Sequence, residues 1–512
     1  MSNLECKTMI KFKQKPTMRN FFIFLALSLS LQAMAQNTFF TIYNTHQIET
    51  TFDAILASDG SLIIVGKRST TITEEDVCGL VMKVDENGNF LKEITLANPN
   101  RTYYYSIEKV PNFDNEFIII GSSDSIVGQD LYSTIMITRI DDQLNIISQN
   151  SFHPIKNYRI TPWKLAFISD STMILEIGRQ VRAAGSPPLS LMITEVKLPA
   201  DSIRSFFSDS TIFRIPGDII YIPKSDEIHI TYYGQSIDND TSWLKILRLD
   251  HLLNKIETLQ SPSRALTTAC TTKLTDSSYL LTTTSTISIN FHAVHTISAF
   301  EMDAYGNGLK GIQYYNHPDT ILYGGFGANA AIVNGSLFLT GIYNIDPQYV
   351  PWQITPTWIQ ITRLDMDLNI LSDYFYGGDA AYYPYCILPT RDNGALITGI
   401  IWDFKEPKQL DIFAMKVNSD GIIVNVPENA STQTTEAILY PNPAREQITV
   451  DFSRLYTSAT LQLMDISGKT VYKTQLTSNR QIIDISALLA GTYLYRIFNP
   501  KGLEETGKLV VE

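Results

Sequence analysis

A segment near the amino terminus recurs, in degraded copies, along most of this 512-residue chain. The best copy occupies residues 52–91 and alternates apolar runs with polar turns and loops. Its apolar runs are residues 52–57, 62–65 and 79–84 and a fourth run that begins at Phe90. Four short strands joined by three reversals are the content of one blade of a β-propeller. The repeat therefore predicts an all-β fold.

The number and spacing of the copies predict the size of the propeller. Each copy is marked by the residue that ends its third apolar run: Asp85, Asp141, Pro199, Asp250, Asp303, Asp365 and Asn418. These markers are 51 to 62 residues apart, which is typical of four-stranded blades. Several of the turns that follow them are rich in Asn and Gly, as hairpins that need positive φ require. We expect residues 37–426 to form a seven-bladed β-propeller.

Two segments compete for the strand that closes the ring. Closure is expected because a linear row of sheets would leave unpaired strand edges at both ends. Residues 38–43 precede the first complete copy and can supply the outer strand of the last blade. Residues 422–426 can take the same position.

The first 35 residues have the pattern of a secretory signal peptide. A basic segment with Lys11, Lys13, Lys15 and Arg19 precedes an apolar stretch at 21–31 and the small residues around position 35. This order is typical of a cleaved signal. The apolar stretch is short for a bilayer span, so a membrane anchor is the less favoured interpretation. We expect no transmembrane segment in the mature chain.

Charge and cysteine content limit the possible partners. The formal net charge is −12, and the leader is basic, so the rest of the chain is more acidic still. An acidic body repels phosphate backbones, which argues against nucleic acid as a partner. Only Cys78, Cys270 and Cys386 follow the leader, an odd number that allows at most one internal disulfide.

The end of the chain differs from the repeats. Residues 427–436 are polar and include Pro427 and a Ser/Thr run, which predicts a linker. In residues 437–512, apolar positions alternate with polar ones in several short runs: Ile448, Val450 and Phe452, then Leu461 and Leu463, then Tyr493, Tyr495 and Ile497. This period predicts a small second domain, a β-sandwich.

A set of motif residues in this tail carries a family resemblance. They are, in order, Tyr440, Pro441, Asn442, Pro443, Gly468, Gly491, Tyr493 and Lys508. The tail resembles the type A C-terminal sorting domain of the Bacteroidetes type IX secretion system. The resemblance implies that the tail engages that secretion machinery and is then removed, leaving the protein secreted or on the outer cell surface. An ordinary accessory sandwich is the alternative.

Motifs for catalysis and metal binding are not apparent in the sequence. It contains no G-x-S-x-G elbow, P-loop, dinucleotide fingerprint or H-E-x-x-H helix. His292 and His295 are three residues apart, which places them on opposite faces of a strand. We therefore assign no catalytic residue, no metal and no cofactor.

Aromatic residues are concentrated in loops that we expect on one face of the propeller. These loops lead into the innermost strands or join the second and third strands of a blade. The candidate ligand-binding residues are Tyr103, Tyr104, Tyr105, Trp163, Tyr349, Trp352, Tyr383 and Trp402. Rigid rings with polar edges suit the binding of a glycan or a protein. The alternative is that these rings fill the space between blades.

These observations favour an exported binding or interaction protein over an enzyme. The main alternative is an extracellular hydrolase that acts on polysaccharide or peptide, with acidic residues on the loop-rich face. A spacer that binds nothing is the third interpretation.

Overall fold

The structure is a computed structural model that describes residues 38–423 and 437–511. It leaves out short segments within those ranges: 46, 73–75, 97–100, 129, 182–189, 199–201, 210–212, 237–238, 262–268, 290–291, 315–321, 325–328, 347–348, 405–408, 441–443, 453–458, 466–468, 479 and 499–503. The predicted signal peptide (1–35) and linker (427–436) lie outside the described residues. Every helix or strand assigned in the described part is a β-strand.

Residues 38–260 contain an amino-terminal strand, β1 (Phe39–Tyr43), and four antiparallel sheets. Sheet 1 consists of β2 (Ile48–Leu56), β3 (Leu62–Ser69), β4 (Cys78–Val84) and β5 (Phe90–Leu96). Sheet 2 consists of β6 (Arg101–Lys109), β7 (Glu116–Val127), β8 (Asp130–Asp141) and β9 (Ile146–Lys156). Sheet 3 consists of β10 (Tyr158–Phe167), β11 (Thr172–Val181), β12 (Ser190–Lys197) and β13 (Ser202–Asp209). Sheet 4 consists of β14 (Phe213–Ile222), β15 (Glu227–Ser236), β16 (Asn239–Asp250) and β17 (Lys255–Gln260).

Residues 270–417 contain three further sheets. Sheet 5 consists of β18 (Cys270–Thr275), β19 (Ser278–Ile289), β20 (His292–Asp303) and β21 (Gly308–Tyr314). Sheet 6 consists of β22 (Leu322–Gly324), β23 (Ala330–Val333), β24 (Ser336–Tyr343), β25 (Trp358–Leu364) and β26 (Ile370–Gly377), with β22 and β23 both paired to β24. Sheet 7 consists of β27 (Ala381–Pro389), β28 (Ala395–Trp402) and β29 (Asp411–Val417), and β1 completes it.

The sheets are arranged in a closed ring. The first strands of neighbouring sheets contact one another in the order β2, β6, β10, β14, β18, β23 and β27, and β27 returns to contact β2. We call these the innermost strands. The ring of sheets around a common axis confirms the predicted all-β propeller fold.

The ring closes through the amino-terminal strand. Strand β1 pairs antiparallel with β29, from Phe39 opposite Lys416 to Tyr43 opposite Ile412. The Tyr43 hydroxyl also donates a hydrogen bond of 2.9 Å to the carbonyl of Gly88 in sheet 1. The first strand of the chain thus joins the first and last sheets. Of the two competing segments, residues 38–43 occupy the outer position.

The core lies between neighbouring sheets, so both faces of a sheet are covered. In β3, Leu62 and Ile64 pack towards residues of sheet 7, whereas Ile63 and Val65 pack towards sheet 2. Strands buried on both faces read as continuous apolar runs rather than as alternating patterns. This explains the uninterrupted apolar run at residues 62–65.

The turns between third and fourth strands repeat one hydrogen-bonded motif. An aspartate accepts hydrogen bonds from the backbone N–H groups two and four residues later, and from the side-chain amide of the asparagine at the second of these positions. The motif occurs at Asp85, Asp141, Asp250, Asp303 and Asp365. The residue before the asparagine has positive φ in every case: Gly88, Leu144, Leu253, Gly306 and Leu368. These are the hairpins that the repeated marker residues predict.

The carboxyl-terminal residues form two facing sheets. One contains β30 (Ala437–Tyr440), β31 (Gln447–Phe452) and β34 (Arg480–Asp484), and the other contains β32 (Ala459–Met464), β33 (Thr470–Leu476), β35 (Gly491–Phe498) and β36 (Glu504–Val511). A shared apolar core includes Ile448, Val450, Leu461, Leu463 and Ile497. These are the apolar residues whose alternation with polar residues in the sequence predicts a β-sandwich. Among the described residues of the chain, no helix has the length and apolar character needed to cross a membrane.

Candidate ligand site at the propeller axis

Five of the seven innermost strands bulge at equivalent positions. The pairing register of β2, β6, β10 and β27 shifts at Phe52, Tyr105, Trp163 and Tyr385 respectively. In β14 the same shift occurs at Gly217. A bulge re-aims the side chain of the extra residue, so a repeated bulge gives neighbouring sheets the same local geometry.

The four aromatic residues at these bulges are in contact, and Phe52 contacts each of the other three. The ring centroid of Phe52 lies 5.2 Å from that of Tyr105, 6.2 Å from that of Trp163 and 6.1 Å from that of Tyr385. Tyr105 and Trp163 are also 6.2 Å apart. These residues belong to innermost strands of sheets 1, 2, 3 and 7, so their contacts place them near the axis. We call them the axial aromatic cluster.

A cavity of about 300 Å³ lies against this cluster. We call it the axial cavity, and its lining residues are Phe52, Lys67, Tyr103, Tyr105, Arg159, Thr161, Trp163, Gly178, Gln180 and Pro216. The axial cavity lies at the end of the ring where the innermost strands begin and where the second strand of each sheet ends. This is the face on which the sequence predicts a ligand site.

Two cations are held against aromatic rings in the cavity. The Lys67 ammonium lies 5.8 Å from the ring centroid of Phe52 and 5.7 Å from that of Tyr103. The Arg159 guanidinium lies 5.3 Å from the centroid of Tyr103 and donates a hydrogen bond of 2.8 Å to its hydroxyl. Arg159 also donates to the buried carboxylate of Asp124 at 3.2 Å. Burial opposes the charge of Arg159, but Tyr103 and Asp124 outweigh it and raise the pKa of Arg159.

The residue after each bulge points away from the cavity and joins neighbouring sheets. Asp53 accepts hydrogen bonds from the Ser106 hydroxyl at 2.7 Å and from the Lys164 ammonium at 2.9 Å. Asp218 accepts two from Thr271, from its backbone N–H at 2.7 Å and from its hydroxyl at 2.9 Å. Ser106 and Lys164 also directly follow bulges. These polar contacts repeat around the axis and tie one innermost strand to the next.

Two further carboxylates lie near these residues and have raised pKa values. Burial, followed by the charge of Asp218, raises the pKa of the Glu176 carboxyl well above its ordinary value. Glu176 accepts the backbone N–H of Gly217 at 3.2 Å. The Glu108 side chain is accessible to solvent but is surrounded by protein atoms of the ring, and this enclosure, together with the charge of Asp53, raises the pKa of Glu108 to about 7. Neither carboxylate lines the axial cavity.

Three of the eight sequence-predicted ligand residues, Tyr103, Tyr105 and Trp163, line the cavity. Tyr104 does not line the cavity. Tyr104 is fully buried between sheets 1 and 2, and its hydroxyl is 3.2 Å from that of Thr138. Tyr103 and Tyr105 stack on each other at 6.1 Å, and Tyr104, between them in sequence, faces the inter-sheet core.

The other four predicted residues lie elsewhere, near sheets 6 and 7. Trp352 packs edge-on against Trp402 at 5.3 Å, and both belong to an apolar cluster that also includes Tyr383. Tyr383 is fully buried and Trp402 is nearly so. Tyr349 is 60% exposed but does not line the axial cavity. For the buried rings, the expected alternative of packing between blades describes the geometry better.

Phe52, Lys67 and Arg159 line the cavity but are missing from the sequence-predicted set. A signal for Phe52 exists in the repeats, because Phe52-Asp53, Trp163-Lys164 and Tyr385-Cys386 occupy equivalent positions. No comparable repeated signal marks the two cations.

The sorting-motif residues are described only in part. Gly491 begins β35, and Tyr493 is buried in the sandwich core, where its hydroxyl donates to the carbonyl of Leu489 at 2.7 Å. Tyr440 and Lys508 are described through the backbone of β30 and β36. Pro441, Asn442, Pro443 and Gly468 lie outside the described residues. Among the described residues, no group of three or more His, Cys, Asp or Glu side chains is arranged to hold a metal ion.

Comparisons with known proteins concern the tail and the fold. Residues 438–512 match the family described as "Secretion system C-terminal sorting domain", which confirms the predicted resemblance. No curated protein matches the chain in sequence.

Three solved structures illustrate the likeness in fold. The β-propeller domain of the Trilobed protease from Pyrococcus furiosus is 9% identical over 75% of this chain and 100% of its own, with a TM-score of 0.41. An α-L-arabinofuranosidase from Fusarium graminearum is 10% identical over 74% of this chain and 98% of its own, with a TM-score of 0.41. A puromycin hydrolase is 11% identical over 82% of this chain and 60% of its own, with a TM-score of 0.44.

Proposed function

We propose that this chain, whose last 75 residues are a secretion-system sorting domain, delivers a ligand-binding β-propeller to the cell exterior. The sorting tail indicates export to the cell surface or release, with removal of the tail. The propeller then acts as a binding protein, and its ligand enters the axial cavity. A glycan is the ligand that we favour.

The axial cavity is the observation that carries this proposal. Its volume of about 300 Å³ is at the lower end of the roughly 300–1,000 Å³ of pockets that hold small molecules. Phe52, Tyr105 and Trp163 provide apolar ring surface, and Thr161 and Gln180 provide hydrogen-bonding groups. A concave site of this size suits one unit at the end of a glycan better than the broad surface of a folded protein.

The placement of the carboxylates supports binding rather than hydrolysis. Glycoside hydrolysis needs two carboxyl groups on either side of the bond that is cleaved. Asp53 and Asp218 are engaged by neighbouring innermost strands, and no described lining residue of the axial cavity is acidic. The hydrolase interpretation therefore has no pair of acids at this site to support it.

Replacement of Trp163 by alanine tests the proposal. Trp163 is partly buried, so its loss removes ring surface from the cavity while most of the inter-sheet core stays intact. The full chain should bind members of an oligosaccharide array, and Trp163→Ala should weaken that binding by roughly tenfold or more. Titration calorimetry on the array hits would measure the affinities.

Tyr349→Ala is the matched control, because Tyr349 is an exposed aromatic residue outside the cavity. This variant should bind as the unaltered chain does. Equal binding by Trp163→Ala would contradict the proposed site. Release of shortened sugars or peptides during incubation would favour the hydrolase instead.

A further inference from the structure

We infer that Asn334 is a site of spontaneous deamidation, at which the side-chain amide is converted to a carboxylate through a cyclic imide formed with Gly335. This site lies outside the axial cavity, and the inference does not depend on the proposed function. Asn334 and Gly335 are the two residues of the turn between β23 and β24 of sheet 6, and Val333 pairs with Ser336 across that turn.

The reaction needs only an Asn-Gly pair and water. The backbone nitrogen of Gly335 loses its proton and attacks the side-chain carbonyl carbon of Asn334, so that a C–N bond forms and ammonia leaves. Water then opens the imide ring at either carbonyl and gives aspartate, or isoaspartate when the chain continues through the former side chain. One water is consumed and one ammonia is released, with no oxidant, reductant or cofactor. Glycine favours ring closure because it has no Cβ to obstruct the attack.

The chain contains four Asn-Gly pairs, so the sequence alone does not select one of them. All four lie at turns between paired strands: Asn87-Gly88, Asn307-Gly308, Asn334-Gly335 and Asn393-Gly394. The same two residue types give the same intrinsic chemistry, so the contacts of the folded chain decide which pair reacts. Ring closure brings the glycine nitrogen and the asparagine side chain together, and a hydrogen bond that holds either group must first be broken.

In two of the other pairs, the backbone nitrogen of the glycine is held. The Gly88 N–H donates to the carbonyl of Asp85 at 3.1 Å, and the Gly394 N–H donates to the hydroxyl of Thr390 at 3.0 Å. Both glycines are buried. A Cβ at Gly88 would lie 2.5 Å from the Phe39 ring, so the space beside this residue is already filled. Local opening must therefore precede the reaction at both pairs.

In the third pair, the side chain of the asparagine is held. The Asn307 side-chain amide donates to one carboxylate oxygen of Asp303 at 3.0 Å, and the backbone N–H of Asn307 donates to the other at 2.8 Å. This is the hydrogen-bonded turn that repeats between third and fourth strands. Attack on the side-chain carbonyl carbon of Asn307 requires the amide to rotate away from Asp303, so the first of these hydrogen bonds must be lost.

The Asn334-Gly335 pair has neither restraint. Both residues are exposed, and among the described residues no hydrogen bond engages the Asn334 side chain or the Gly335 N–H. Apart from the adjoining residues, no described atom lies within 4 Å of the position that a Cβ at Gly335 would take. Positive φ at both residues, 47° and 72°, is typical of a type I′ turn at the tip of a hairpin. The imide ring therefore has room to form, and water has access to open it.

Deamidation changes both the charge and the backbone of this turn. Aspartate and isoaspartate each add one negative charge at neutral pH. Isoaspartate also inserts the former side-chain carbon into the main chain, and the length of a hairpin turn sets the register of its strands. The turn joins the end of an innermost strand to the start of a second strand, so it lies at the end of the ring opposite the axial cavity. We expect the modification to loosen the β23–β24 hairpin and to leave the cavity unaltered.

Ageing of the purified full chain tests the inference. The chain is incubated in mildly alkaline buffer, which favours loss of the amide proton, and conversion at each of the four asparagines is followed by proteolytic digestion and mass spectrometry. Asn334 should convert at least about fivefold faster than each of the other three, because each of those pairs must first lose a hydrogen bond. In denaturant, where the folded contacts are lost, the four rates should become similar.

Variants test the physical reason. Asn334→Gly retains a residue suited to positive φ, removes the amide and should abolish the main acidic product of ageing. Thr390→Ala removes the hydroxyl that holds the Gly394 N–H, so Asn393 should convert faster than in the unaltered chain. Thr390→Ser keeps the hydroxyl and is the matched control, in which conversion of Asn393 should be unchanged.

Selective conversion of Asn334 in the folded chain would support the inference. Equal or faster conversion at Asn87, Asn307 or Asn393 would overturn it, as would an Asn334 that stays intact in the folded chain and converts only in denaturant. A rate at Asn393 that does not respond to Thr390→Ala would also overturn it, because the selection of Asn334 depends on hydrogen bonds at the other pairs.

Discussion

Three leucines occupy a backbone conformation that favours glycine. Leu144, Leu253 and Leu368 have φ values of 59° to 65° in turns where three other copies have glycine, Gly88, Gly306 and Gly421. All three side chains are buried in apolar clusters between sheets. In the first copy, the Phe39 ring occupies the space that a side chain at position 88 would need. Burial of the leucine side chain thus offsets the free-energy cost of a positive φ, a cost that glycine does not incur.

This offset predicts that, at position 144, the glycine variant is more stable than the alanine variant, which is the reverse of the usual order. Leu144→Ala loses the buried side chain and keeps the strained φ, so it should cost about 2–5 kcal/mol of unfolding free energy. Leu144→Gly loses the same packing but relieves the strain, and it should be about 1 kcal/mol more stable than the alanine variant. Chemical denaturation would measure both.

Leu337 provides the control because it is fully buried in strand β24 and does not have positive φ. There the order should reverse, with glycine about 0.5–1 kcal/mol less stable than alanine. An alanine variant more stable than the glycine variant at position 144 would contradict the proposed offset.

At the residue scale, the sequence predicts the required backbone conformation better than it predicts which residues a side chain contacts. The Asp and Asn residues of 85–89 predict a hairpin with positive φ because their side chains bond to nearby backbone. The leucine at the same turn position in other copies gives no such signal, since its burial depends on the neighbouring sheet. Tyr104 illustrates the same point: three consecutive tyrosines look alike in the sequence, and only the neighbouring sheet determines which of them is covered.

At the scale of strands, the bulges link the cavity to the core. One extra residue in each of several innermost strands brings an aromatic ring into the axial cluster and sends the next residue to the adjacent sheet. Asp53 is such a residue, and its carboxylate binds Ser106 and Lys164 from two other sheets. The same short segment therefore lines the axial cavity and joins neighbouring sheets of the ring.

Loss of the Asp53 carboxylate should destabilise the ring strongly. Asp53→Asn removes the carboxylate that contacts the Lys164 ammonium at 2.9 Å and leaves Asp218 as a charge without a direct contact, so we expect a cost of about 3–5 kcal/mol in unfolding free energy. Lys164→Met in the same chain removes the unpaired charge and should recover part of the loss. A double-mutant cycle by chemical denaturation should give a coupling energy of about 0.5–3 kcal/mol.

The exposed pair of Lys109 and Asp114 is the comparison for this cycle. Asp114→Asn should change stability little because water solvates both partners. Additive effects of Asp53→Asn and Lys164→Met would show that the buried contact does not act as a pair.

Strand positions are largely predictable from this sequence, whereas bulges are not. The apolar runs of residues 62–65 and 79–84 fall within β3 and β4 because buried strands need apolar side chains on both faces. A bulge changes only the pairing register with the next strand and leaves composition almost unaltered. Lys67 and Arg159 lie on strands of different sheets and both contact the Tyr103 ring, so their common position at the cavity is not visible in the chain.

At the scale of the whole molecule, β1 holds the ring closed. It supplies the outer strand of sheet 7 and contacts the turn of sheet 1 through Tyr43. Deletion of residues 38–43 should lower the midpoint of thermal unfolding and expose β29 as an unpaired edge. Limited proteolysis should then cleave sheet 7 before the other sheets, and calorimetry would measure the shift in midpoint.

A synthetic peptide with the sequence of residues 37–44 should restore part of the lost stability when added to this shortened chain. A scrambled peptide of the same composition is the control, because it lacks the register that places Phe39 and Tyr43 in the core. Unchanged unfolding of the shortened chain would show that ring closure does not depend on β1.

The pairing of β1 with β29 also sets an order of events during biogenesis. The ribosome makes β1 near the beginning of synthesis, but its partner emerges more than 360 residues later. Strand β1 must therefore stay without this partner while the residues of six sheets are translated. Closure of the ring through β1 therefore cannot precede synthesis of β29.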